Sequence, residues 1–132
     1  MKSDIEIKDD LYSLIKGSVL AKAVTGVVKK TGKRPKGSAK EDIVISILDN
    51  QNGQLQPAIV NVNIYVKDDI RDNQAEESSI RCRELCQLAE DLFDNIRSKD
   101  FQVILDKQRV LEVDGVDEHI INNRLLYKII NE

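Results

Sequence analysis

A chain of 132 residues with 41% hydrophobic side chains has one domain's length, and that composition excludes wholesale disorder. It is long enough to bury roughly two-thirds of its unfolded surface without disulfides or metals, and with no tryptophan and few aromatics the core must come from Ile, Val and Leu. The net charge is −3, yet residues 11–40 hold eight Lys or Arg and no acid, so the remainder carries −11.

In chain order, residues 1–10 are charged and do not read as a secretion leader. Leu11, Leu14 and Ile15 recur at helical spacing over residues 9–16. Asp9 and Asp10 suit the start of that helix and Gly17 its end. Residues 18–24 predict another helical turn or two, and 27–29 a short strand.

The basic segment follows. Gly32, Pro35, Gly37 and Ser38 interrupt its cations, so residues 29–41 predict a flexible basic loop carrying Lys29, Lys30, Lys33, Arg34, Lys36 and Lys40. A one-signed patch of this kind serves partners, not the fold.

Residues 42–48 are dense in Ile and Val, and Asn52-Gly53 favours a turn with positive φ. After Pro57, Ala58, Val60, Val62, Ile64 and Val66 alternate with Asn61, Asn63 and Tyr65. That alternation predicts an antiparallel hairpin with one buried face. Residues 68–77 read as a polar connection with an acidic set, Asp68, Asp69, Asp72, Glu76 and Glu77. Ser78 or Ser79 then caps a long helix whose stripe is Cys82, Leu85, Cys86, Ala89, Leu92, Phe93 and Ile96. Residues 101–113 and 119–130, joined at Asp114-Gly115, predict a second hairpin; Ile121, Leu125 and Ile129 would also line a helix, but Asn122-Asn123 and the Ile-rich composition favour strand. The expected fold is α+β: a mainly antiparallel sheet of about four or five strands, with an N-terminal helix and one long amphipathic helix packed on it.

Chemical motifs are sparse. Gly26 and Gly32 are separated by five residues where a phosphate loop needs four, and Arg34 occupies the metal-binding Ser/Thr position. Cys82 and Cys86 lie one turn apart but have a single His and no third Cys to join them, so they read as small buried hydrophobes and reduced thiols in a cytoplasmic product. His119 has no nucleophile partner in view. The acidic set departs from calcium-loop spacing, because Ile70 and Arg71 occupy ligand positions. The expectation is a protein without catalytic residues, metal or cofactor, and no apolar run approaches the ~20 residues of a membrane span. Nor does the basic loop carry the interleaved aromatics of single-strand binders.

Several stretches carry a resemblance. They are Leu11-Tyr12-Ser13-Leu14-Ile15-Lys16, Gly26-Val27-Val28-Lys29, Lys33-Arg34-Pro35, Lys40-Glu41-Asp42-Ile43-Val44-Ile45, the strand at residues 58–66, and His119-Ile120-Ile121-Asn122-Asn123-Arg124-Leu125. In their order along most of the chain they resemble the bacteriophage tail completion and tail terminator (head–tail joining) proteins. The resemblance implies a non-enzymatic, prophage-encoded subunit forming a ring, with a hexamer expected, through which DNA passes. Its partners would be tail tube and head–tail connector proteins, and it would be a virion component after cytoplasmic synthesis. The basic loop would face the lumen or a neighbouring copy's acidic segment. A different class fits the charge split too: a small interaction or regulatory module whose loop binds an acidic partner or nucleic acid.

Overall fold

The computed structural model describes residues 2–50 and 57–130, and the Asn52-Gly53 turn expected from the sequence lies outside them. Helix α1 (Asp4–Lys16) is followed by the short α2 (Val19–Ala23). Strands β1 (Val28–Lys29), β2 (Ile43–Asp49) and β3 (Ala58–Lys67) come next. A small ribbon, β4 (Asp69–Arg71) and β5 (Gln74–Glu76), then leads to helix α3 (Ser79–Phe93). Strands β6 (Ile96–Arg97), β7 (Phe101–Glu112) and β8 (Glu118–Ile129) complete the chain.

The expected sheet of about four or five strands under one long helix is not what forms. Six strands in the order β1-β2-β3-β8-β7-β6 curl into a half-barrel, and they carry two helices of similar length, 13 and 15 residues. The miscount has local causes. β6 is two residues long, too short to show a period of two, whereas the equally short β1 forms within the strand predicted at residues 27–29. β6 also takes Ile96 out of the helical stripe, because α3 ends at Phe93. The N-terminal helix starts at Asp4, where Ser3 and Glu6 form a reciprocal capping box that satisfies two otherwise orphaned N–H groups.

β2 and β3 pair antiparallel as the alternation from Ala58 predicts, and β7 and β8 form the second expected hairpin, which decides residues 119–130 as strand. Val62 pairs with Ile45 on one side and Asn123 on the other, and the Gly115 turn with φ +81° joins β7 to β8. β1, in contrast, pairs parallel to β2.

One face of the sheet is covered. Val60, Val62 and Ile64, with Ile43, Ile45, Ile121 and Leu125, are fully buried beneath Ile7, Leu11 and Ile15 of α1 and Leu85, Ala89 and Phe93 of α3. Asn123 is buried in this core but satisfied: its amide N–H donates to the Val62 carbonyl at 3.1 Å, and its oxygen accepts from Gln108 at 2.8 Å. Tyr127 stacks on Phe101 with ring centroids 4.9 Å apart, and its hydroxyl donates to Asp10, fastening α1 to β8. Burial, reinforced by the Asp10 carboxylate, keeps that phenol protonated far above its ordinary range.

The chain crosses itself most tightly where residues 25–27 pass residues 41–42. Gly26 N–H donates to the Glu41 carbonyl at 3.0 Å, and a Cβ on Gly26 would stand 2.2 Å from Asp42 Oδ1 and 2.6 Å from the Glu41 carbonyl oxygen. Only glycine fits there. Gly26→Ala should therefore cost about 1 to 3 kcal/mol, the usual penalty of overpacking. The check is a urea unfolding midpoint, and a midpoint equal to wild type would show that the crossing gives way without cost.

Candidate assembly surfaces

The basic loop is less free than its composition implies. Arg34, with only 16% of its side chain exposed, is its anchor. Its Nε donates to Asp42 Oδ2 at 3.0 Å, and its two terminal nitrogens donate to the Glu118 carboxylate at 2.8 and 3.0 Å. One of these also donates to the Lys40 carbonyl, and the guanidinium lies 4.0 Å from the centre of the Tyr65 ring. Tyr65 and Glu118 alternate with core residues, so they sit on the face of the sheet away from the helices. The loop thus folds over one corner of that face.

Asp42 closes the same junction. It accepts from Ser38 Oγ at 2.6 Å and from the Val27 N–H at 3.1 Å, as well as from Arg34. Burial on its own would raise this carboxyl, but the three bonds and the Arg34 charge outweigh that and hold it below the ordinary range. Burial likewise disfavours the Arg34 charge, while Glu118 and Asp42 more than compensate. A second arginine braces the loop's far end: Arg81 donates to both Glu41 carboxylate oxygens at 2.7 Å and to the Ala23 carbonyl at 2.6 Å.

The cations singled out in the sequence therefore divide. Arg34 is structural. Lys30 pairs with Asp9 at 2.8 Å and stands over the Tyr12 ring, and Lys29 is half-buried at the end of β1. Lys33, Lys36 and Lys40 are exposed and take part in no ion pair among the described residues.

The acidic set divides too. The polar connection is a β-ribbon, not a loop, turned by Asp72 and Asn73 at φ 51° and 63°. Positive φ at both central residues marks the hairpin turn that Asp and Asn tolerate best, and the Asp72-Asn73 dipeptide was the available signal for it. Asp68 belongs to the fold: its carboxylate lies 2.6 Å from His119 Nδ1 and its N–H donates to the Asp117 carbonyl. His119 is thus a fastener for the ribbon's base. Asp69 lies 3.6 Å from Arg71, Glu77 accepts from Ser79, and Asp72 and Glu76 are exposed.

The ribbon and the loop leave the sheet at the same end, since Lys67 and Glu118 are register partners and Glu118 holds Arg34. No ion pair joins the two among the described residues. Cys82 is buried and Cys86 half-buried on α3, and burial pushes the Cys82 thiol up to about 11 and the Cys86 thiol in the same direction. Neither is a poised nucleophile at neutral pH. Among the described residues no helix is long and apolar enough to cross a membrane. No family model matches the chain, and no curated protein matches its sequence.

Proposed function

We propose that this chain is a structural subunit of the tail completion or tail terminator type. It assembles as a ring, with six copies the expected number, between tail tube and head–tail connector, and DNA passes through the lumen. It is made in the cytoplasm and ends in the virion. The observation that carries this reading is the way Lys33, Lys36 and Lys40 are presented. They stand exposed on a loop pinned at Arg34 and at Arg81, in a chain whose residues outside 11–40 sum to −11. A pinned cationic loop is a preorganised contact for phosphates or for an acidic neighbour, and its ordering entropy is already spent on folding.

The pinning separates the cations that hold the fold from those free to meet a partner. Reversing Arg34 would damage the fold, so Lys33, Lys36 and Lys40 are the residues to reverse to Glu. That triple variant should keep its thermal midpoint and circular dichroism, yet leave heads and tails unjoined in a phage that depends on it. Wild-type yields of joined particles would overturn the reading. The same lysines also suit an acidic partner or nucleic acid outside any particle. Flanking tail tube, tape-measure or connector genes favour the first reading, and a neighbourhood without them favours the second.

A further inference from the structure

The helix-free face of the sheet is strongly one-signed where β6, β7 and β8 lie together. Val103 and Tyr127 point into the core, so their register neighbours Gln102 and Lys128 point away from it. The same alternation places Arg97, Lys107, Arg109 and Arg124 on that outward face, past the bulge between Leu105 and Lys107. Of the nearby acids, Asp106 lies 3.6 Å from Arg124 and Glu118 is taken up by Arg34. Two apolar side chains stand among the cations, Ile104 at 41% and Leu111 at 37% exposure.

The ribbon β4–β5 is the complement of this face. It carries Asp69, Asp72 and Glu76, with Glu77 just beyond, against the single cation Arg71. Ile70, opposite Ala75, is 60% exposed on it. An acidic projection with an apolar side chain thus matches a cationic face with apolar side chains in both charge and polarity. It cannot reach the far part of that face, around Ile104 and Lys128, on its own copy. The ribbon leaves at the Glu118 end of β8, whereas Lys128 lies toward the other end of a 12-residue strand, a span of roughly 35 Å.

We infer that the β4–β5 ribbon of one copy docks on the outward β6–β8 face of the next. Ile70 meets Ile104, and the ribbon acids meet the cations on either side of it, Lys107 and Lys128. This rests on the ring-forming reading above and names the surface by which copies join. The contact is heterologous, and head-to-tail contacts of that kind close into rings when the rotation permits. A nucleic acid is the weaker fit for the face: exposed Ile104 and Leu111 interrupt the phosphate track, and the Tyr65 ring is covered by Arg34.

The test uses sedimentation of the whole chain at low ionic strength over a concentration series. Wild type should associate, and added salt should weaken it. A ribbon variant (Asp69→Lys, Glu76→Lys, Glu77→Lys) and a face variant (Lys107→Glu, Arg109→Glu, Lys128→Glu) should each associate at least about tenfold more weakly. Each variant repels itself but complements the other, so an equimolar mixture should recover association, which also shows that both remain folded. The inference is overturned if wild type stays monomeric throughout, if the variants associate like wild type, or if the mixture recovers nothing. It is overturned equally if a short DNA duplex binds wild type but not the face variant while self-association is indifferent to both reversals. Association by another surface, with particle joining intact, sinks this contact and leaves the ring reading standing. A working contact with no particle phenotype does the reverse.

Discussion

Replacing Arg34 with alanine should lower the unfolding free energy by about 2 to 4 kcal/mol, because two carboxylates lose the charge that compensates their burial. Asp42 is 1% exposed and Glu118 9%, so neither can turn to bulk water when the guanidinium is gone. The variant should also lose protection of the loop amides, since Arg34 is what joins residues 34–42 to β8. The effect has a pH signature. Folding depresses the Asp42 pKa, so its contribution is complete above the ordinary carboxyl range of about 4 and is lost as the pH falls through the lower folded value. Without Arg34 that loss should begin at higher pH. Urea unfolding of both proteins from neutral pH into the acid range is the measurement. Equal stability at pH 7 would show the network to be replaceable by water.

Truncating Phe93 to alanine should cost about 3 to 5 kcal/mol, the range for a large aromatic removed from a close-packed interior. Phe93 is fully buried at the end of α3 and belongs to the core cluster with Val103 and Tyr127. Its sequence neighbour is the control. Leu92 is only half-buried, lining an open groove with Leu88, Val19 and Leu20. Leu92→Ala should fall well short of Phe93→Ala, although both residues lie on the stripe read from the sequence. Val62→Ala, at a fully buried position, should unfold earlier than wild type as well. Denaturant midpoints for the three variants decide this, and an inverted order of Leu92 and Phe93 would mean that the helix is rotated from the orientation described.

The stripe shows how far periodicity reaches. It identified one face of α3, since Cys82, Leu85, Ala89 and Phe93 all turn inward. It did not separate Phe93 from Leu92, because two adjacent positions at the margin of a helical face differ only by what is packed over them. Ile96 matched the stripe by spacing alone, yet it pairs with Val103 in the sheet.

The basic loop shows the limit from the charge side. Eight cations without an acid were visible at once, but not that Arg34 is spent internally while Lys33, Lys36 and Lys40 are presented. Asp42 is 8 residues from Arg34 and Glu118 is 84. No local pattern encodes that meeting. Gly26 is similar: its need for glycine arises from Asp42, not from the conformation of its own turn.

By itself, the sequence determined what depends on near neighbours. Alternation from Ala58 to Val66 set the strand and its buried face, and Ser3 with Glu6 set the start of α1 at Asp4, five residues ahead of the start expected at Asp9. It likewise determined the one-signed charge of residues 11–40. Tertiary structure alone decided what depends on residues far apart in the chain: six strands instead of four or five, the parallel β1–β2 pairing, the Arg34 junction, and the cations of β6–β8 on one open face. The reason is physical. Local propensity acts within a turn or a pleat, whereas burial and ion pairing depend on distances that exist only once the sheet has curled and the helices have closed one side of it.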